Sequence, residues 1–116
     1  MQVRESQDGG VPVLHLAGEI DLQRSPELRA VLQGHVKVQR PALAIDLSGV
    51  DYIDSSGLAT LVEYVRHAQE YDGRLALSGL NGRVKTVFEL VRLSEFLPIY
   101  ETLDQARAAL SKPPAA

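Results

Sequence analysis

The stretch Leu43-Ala44-Ile45-Asp46-Leu47-Ser48-Gly49-Val50-Asp51-Tyr52-Ile53-Asp54-Ser55-Ser56-Gly57-Leu58 decides the fold, because a buried strand and the start of a helix meet inside it. Its opening, Leu43 to Leu47, is a short apolar run bounded by Pro41 and by Ser48-Gly49, the pattern of a strand covered on both faces. Beyond it, apolar residues recur at Leu58, Leu61, Val62, Val65 and Ala68, one stripe of an amphipathic helix. Ser55 therefore falls at or beside the helix N-cap, near backbone N–H groups that lack partners and the positive end of the helix dipole. An anion is stabilised at such a place.

Outward from this junction the chain alternates strands and helices. Met1 to Gln7 and Val11 to Ala17 can pair as a hairpin across Asp8-Gly9-Gly10, residues that tolerate positive φ. Ser25-Pro26-Glu27 reads as an N-cap, a proline in the first turn and a first-turn acid, followed by a stripe at Leu28, Val31, Leu32 and Val36. Tyr71-Asp72-Gly73 ends the helix after Ser55, and Leu75 to Leu77 gives another strand. Asn81 can cap a third helix with a stripe at Val84, Val87, Phe88 and Val91; Leu97 to Tyr100 makes a short strand, and Thr102 with Gln105 forms a capping box for a last helix. The expected fold is a single α/β domain over residues 1–112, a mixed and mostly parallel sheet of about five strands opened by a hairpin, with about four helices. Residues 113–116, with Pro113-Pro114, should form a frayed tail.

Composition narrows the function. The 116 residues suffice for one domain, and no cysteine is present for disulfides, thiolate catalysis or thiolate zinc sites. A net charge of -3 with scattered Lys and Arg argues against nucleic acid as a partner. Neither a secretory apolar region nor a bilayer-length run is found, so the expectation is a cytoplasmic protein without direct membrane insertion. No cofactor is expected.

In a parallel sheet the loops at the carboxyl ends of the strands share one rim, where ligands and partners engage. This gathers Gly18-Glu19-Ile20-Asp21, Asp51 to Gly57, and Ser78 to Gly82. Only one of Asp54, Ser55 and Ser56 can occupy the N-cap, so at least one serine hydroxyl is surplus to capping. Gly57 costs helix stability and is explained, from sequence, by another molecule approaching the backbone closely. A nucleophilic serine is a poorer reading: the glycine that opens a nucleophile elbow is replaced by Ile53 or Asp54, and none of His15, His35 and His67 is an obvious base. Asp46 at a strand end suggests a phosphoacceptor aspartate, but the acidic pair needed for Mg2+ and the later lysine are lacking, so it reads as a residue bonded to nearby loop amides.

Taken together, Gly18-Glu19-Ile20-Asp21, Ile45-Asp46-Leu47-Ser48, Asp54-Ser55-Ser56-Gly57-Leu58 and the Gly73 turn resemble the STAS domain of bacterial anti-sigma factor antagonists, from about Val3 to Leu110. The resemblance implies a STAS fold and partner switching without enzymatic activity. The unphosphorylated protein would bind a serine-kinase anti-sigma factor, phosphorylation at Ser55 would prevent binding, and a PP2C-type phosphatase would remove the phosphate. It also implies kinase contact at Glu19 and Asp21, with Asp54, Ser56, Gly57 and Leu58 completing the surface. Ile20 stands where the family often has Leu. STAS domains also serve membrane transport systems, including lipid transporters, by docking on an ATPase; retention of both Ser55 and Ser56 favours the switch.

Overall fold

Gly9 and Gly10, at φ of +60° and +82°, make the turn between two antiparallel strands, β1 (Gln2–Asp8) and β2 (Val11–Ile20). In the computed structural model, which describes residues 1–111, the chain continues through α1 (Ser25–Lys37), β3 (Ala42–Ile53), α2 (Ser55–Gln69), β4 (Arg74–Ser78), α3 (Gly82–Leu90), β5 (Ile99–Tyr100) and α4 (Leu103–Ser111). A single 3-10 turn at Leu93–Glu95 precedes β5. The five strands lie in chain order, and every neighbouring pair after the opening hairpin is parallel. The expected α/β architecture is thus present, while the tail expected to fray lies outside the described residues.

Alternation along β3 separates two layers. Leu43, Ile45 and Leu47 join Leu14 and Leu16 in a large core with Leu28 and Leu32 of α1, Leu61 and Tyr64 of α2, and Val84 and Phe88 of α3. Ala44 points the other way, where Val11, Val13 and Ala76 meet Ala106 and Leu110 of α4. Small side chains there let α4 sit close to the sheet. With only nine residues, α4 is about 14 Å long and covers part of that face.

Three boundaries differ from the sequence reading. Ser48-Gly49, read as the end of a strand, is a bulge: pairing moves from His15 with Asp46 to Ala17 with Gly49, one extra residue on β3, and slips by one again before Glu19 pairs with Tyr52. Gly49 is required where it sits, because a Cβ would lie 2.9 Å from the Ala17 Cβ and 3.0 Å from the Leu16 carbonyl. Pairing resumes beyond the bulge and carries β3 to Ile53 and β2 to Ile20, so Glu19 and Asp51 to Ile53 are strand rather than loop. At α1, the N-cap is Arg24 and not Ser25: the Asp21 carbonyl already accepts from the Arg24 and Ser25 amides, starting helical geometry one residue early. The last strand is shorter than Leu97 to Tyr100. Elsewhere local signals hold, with Asn81 Oδ1 accepting from the Val84 amide at 2.9 Å and Thr102 and Gln105 exchanging side-chain and backbone hydrogen bonds.

Candidate functional site

Asp54 joins β3 to α2 and organises everything around it. Its amide donates to the Ile20 carbonyl at 3.1 Å, which ties the helix entrance to the end of β2. Its Oδ1 accepts from the Ser56 amide at 2.9 Å, the Ser56 hydroxyl at 2.5 Å and the Gly57 amide at 3.2 Å. The Ser56 hydroxyl, aided by the amides of Gly57, Ser56 and Leu22, outweighs burial and holds this carboxyl below its ordinary value. Asp54 is thus the N-cap, and an ionised one.

That assignment separates the two serines. Ser56 is half-buried with its hydroxyl committed to Asp54, and its carbonyl accepts from Thr60 Oγ1 at 2.9 Å. Ser55, the first residue of α2, is exposed, and its hydroxyl has no hydrogen-bond partner among the described residues. A reactive partner can reach it.

Gly57 and Leu58, expected on the contact surface, face inward. Gly57 is buried, and a Cβ on it would come within 2.7 Å of Ile20 Cγ2 and 2.8 Å of Ile53 Cγ1. Its lack of a Cβ therefore permits close packing of α2 on the ends of β2 and β3, a requirement that the sequence reading did not weigh. Leu58 is 5% exposed and belongs to the large core.

The acidic residues sit beside this turn, but one is occupied. Asp21 accepts from the Arg24 amide at 3.1 Å and from its guanidinium at 2.6 Å, while Glu19, largely exposed, lies 3.9 Å from the same guanidinium. Arg24 thereby tempers the negative charge expected on the rim. Two apolar residues that the sequence reading did not single out stand nearby: Leu22, 74% exposed and next to Asp21, and Tyr52, 43% exposed and paired with Glu19. The signal was present in their position, apolar residues flanked by rim acids. In the third rim loop, Asn81 spends its amide on the Val50 carbonyl at 2.7 Å as well as on its capping bond. Among the described residues no cluster of His, Asp and Glu is placed to hold a metal, and no helix is long and apolar enough to cross a membrane.

The family profile described as "Mlab, STAS domain" matches residues 3–99, which contain the whole rim. The chain belongs to the STAS-domain family of anti-sigma factor antagonists. The anti-sigma-B factor antagonist of Listeria monocytogenes is 33% identical to it over 86 residues, 74% of this chain and 75% of that protein. The anti-sigma-B factor antagonist of Staphylococcus aureus is 28% identical over 86 residues, 74% of this chain and 80% of its own. In three dimensions this STAS domain superposes on the crystal structure of an anti-sigma factor antagonist from Mycobacterium paratuberculosis with a TM-score of 0.88 at 29% identity, covering 96% of this chain and 94% of the other.

Proposed function

We propose that this STAS domain is a partner-switching anti-sigma factor antagonist whose unphosphorylated form binds a serine-kinase anti-sigma factor and whose phosphorylation at Ser55 ends that binding. The observation that carries the reading is the free, exposed Ser55 hydroxyl beside a neighbour, Ser56, whose hydroxyl is taken. A phosphate on Ser55 adds about -1.5 to -2 charges. Because Asp54 already satisfies the Ser56 and Gly57 amides, the new charge projects outward instead of capping the helix. It joins Asp54 and Glu19 on one surface, and an interface that cannot pair it loses several kcal/mol; about 3 kcal/mol is more than a hundredfold in affinity.

The contact surface in this reading comprises Ser55, Ser56, Asp54, Glu19 and Asp21, with Leu22 and Tyr52 as apolar anchors. Gly57 and Leu58 support it from beneath. A PP2C-type phosphatase that removes the phosphate restores binding, and the cycle runs in the cytoplasm.

Two measurements test the proposal. Incubation with the serine-kinase anti-sigma factor and ATP, followed by intact mass and peptide mapping, should give one phosphate in the parent and in Ser56→Ala and none in Ser55→Ala. Calorimetry should show Ser55→Asp binding the kinase at least about tenfold more weakly than the parent. Phosphate retained in Ser55→Ala, or undiminished affinity of Ser55→Asp, overturns the reading.

A further inference from the structure

On the part of the α4 face of the sheet that the short helix leaves uncovered, three side chains from three strands line up. Ser6 Oγ on β1 lies 2.9 Å from His15 Nε2 on β2, and His15 Nδ1 lies 2.8 Å from Asp46 Oδ2 on β3. Asp46 Oδ1 is fixed by the Ser48 amide at 3.0 Å. The bond to a loop amide was expected of Asp46, whereas His15, which offered no sign of a role as a base, turns out to sit between a hydroxyl and a carboxylate.

The chemistry of the three groups sets the proton positions. A carboxylate only accepts, so Nδ1 carries a proton toward Asp46, and in the tautomer this selects Nε2 accepts from the Ser6 hydroxyl. Burial pushes the Asp46 carboxyl up, but hydrogen bonds from the Ser48 amide and His15 more than offset it, and the group titrates below the usual carboxylate range. The result is a serine hydroxyl held against a base that is itself oriented by an ionised acid, which is the arrangement that activates serine for acyl transfer.

The surroundings admit a small molecule. His15 and Asp46 line an open groove of about 520 Å³ together with Arg4, Ala17 and Ser48, and Ser6, bonded to the end of the imidazole opposite Asp46, is not one of its walls. Ser6 is half-buried. It stands on an edge strand, since β1 pairs only with β2.

We propose that Ser6 is a nucleophile, activated by His15 and Asp46, that accepts acyl groups from small carboxylic esters. In the first half, Ser6 Oγ bonds to the ester carbonyl carbon while its proton passes to His15 Nε2; the carbon–oxygen bond to the alcohol then breaks, and His15 returns the proton to the departing alkoxide. In the second half, water adds to the acyl carbon with its proton taken by His15, the bond to Ser6 breaks, and Ser6 recovers a proton as the carboxylic acid leaves. This activity is independent of the Ser55 switch.

A fluorophosphonate probe tests it on the full chain, because the probe traps activated serines: the Ser6 oxygen bonds to phosphorus, fluoride leaves, and His15 passes the proton to solvent. Trypsin releases residues 5–24 as one peptide in which Ser6 is the sole hydroxyl-bearing side chain, so the site is unambiguous. The expected result is one label on that peptide, none on Ser6→Ala, and a labelling rate lowered about a hundredfold in His15→Gln. Absence of label on the parent protein, or label that persists in Ser6→Ala, overturns the proposal. Should His15→Gln fail to fold, Asp46→Asn replaces it, and a rate unchanged from the parent in a folded Asp46→Asn or His15→Gln protein also counts as refutation. A merely structural staple between strands would leave Ser6 unreactive.

Discussion

Replacing Gly57 by Ala separates a glycine kept for packing from one kept for a partner. The new Cβ would sit 2.7 Å from Ile20 Cγ2 and 2.8 Å from Ile53 Cγ1, on two side chains that are 0% and 2% exposed. Over-packing of this kind costs about 1–3 kcal/mol. The upper half of that range applies, because both neighbours are β-branched and stiff, and the Ile20 carbonyl, 3.2 Å from the new carbon, is already bonded to the Asp54 amide. Against this stands the helix preference of Ala over Gly, about 0.8–1 kcal/mol in a helix interior and no greater in a first turn. The net loss is then about 1–2 kcal/mol, which lowers the melting temperature by about 4–8 °C in a domain of this size. Gly34, in α1 with open space where its Cβ would be, supplies the control: Gly34→Ala should gain about 0.5–1 kcal/mol. Calorimetric melts of the isolated protein read both. A Gly57→Ala protein that melts at or above the parent temperature would refute the packing argument and return the glycine to a role in recognition.

Asp54→Ala should cost about 1 kcal/mol of stability through loss of the cap, read from urea midpoints. The pH dependence has a definite sign: the folded carboxyl is depressed, so its stabilisation is complete above the unfolded value of about 3.9 and is lost as pH falls through the folded one. Asp54→Asn should therefore flatten the acid limb of midpoint against pH below about 4, and an unchanged limb would contradict the capping role. On the rim, Leu22→Ala and Tyr52→Ala should each weaken binding to the serine-kinase anti-sigma factor by about 1–2 kcal/mol while moving folding stability by no more than about 0.5 kcal/mol. Equal losses of stability and affinity would make them structural residues instead of anchors.

Helix periodicity and the caps of α3 and α4 were legible in the sequence because they are local: Asn81 reaches three residues ahead, and Thr102 with Gln105 forms a reciprocal pair, whereas Ser25 lost the α1 cap to Arg24. The length of β3 was not, since Ser48-Gly49 carries the same signature whether a strand ends there or bulges, and only the pairing of β2 beyond it decides. Gly57 misled for a related reason. Local preference registers a glycine as a cost to the helix, whereas the compensating fit against Ile20 and Ile53 exists only once two strands end side by side. The Ser6, His15 and Asp46 relay lay further out of sight, because its members are separated by 9 and 31 residues and come together through register alone. At the rim, sequence located the capping turn but could not say which of three residues would cap. Asp54 capping, with Ser56 bound to it, is the arrangement that leaves Ser55 both outside the cap and outside the core. Had Ser55 been the cap, esterifying it would have removed a bond from the first turn of α2 at a cost of about 1 kcal/mol, and a binding switch would have been tied to partial unfolding of its own surface. With a carboxylate as the cap, the energy of a phosphate on Ser55 goes into the electrostatics of whatever docks there, and the scaffold is spared.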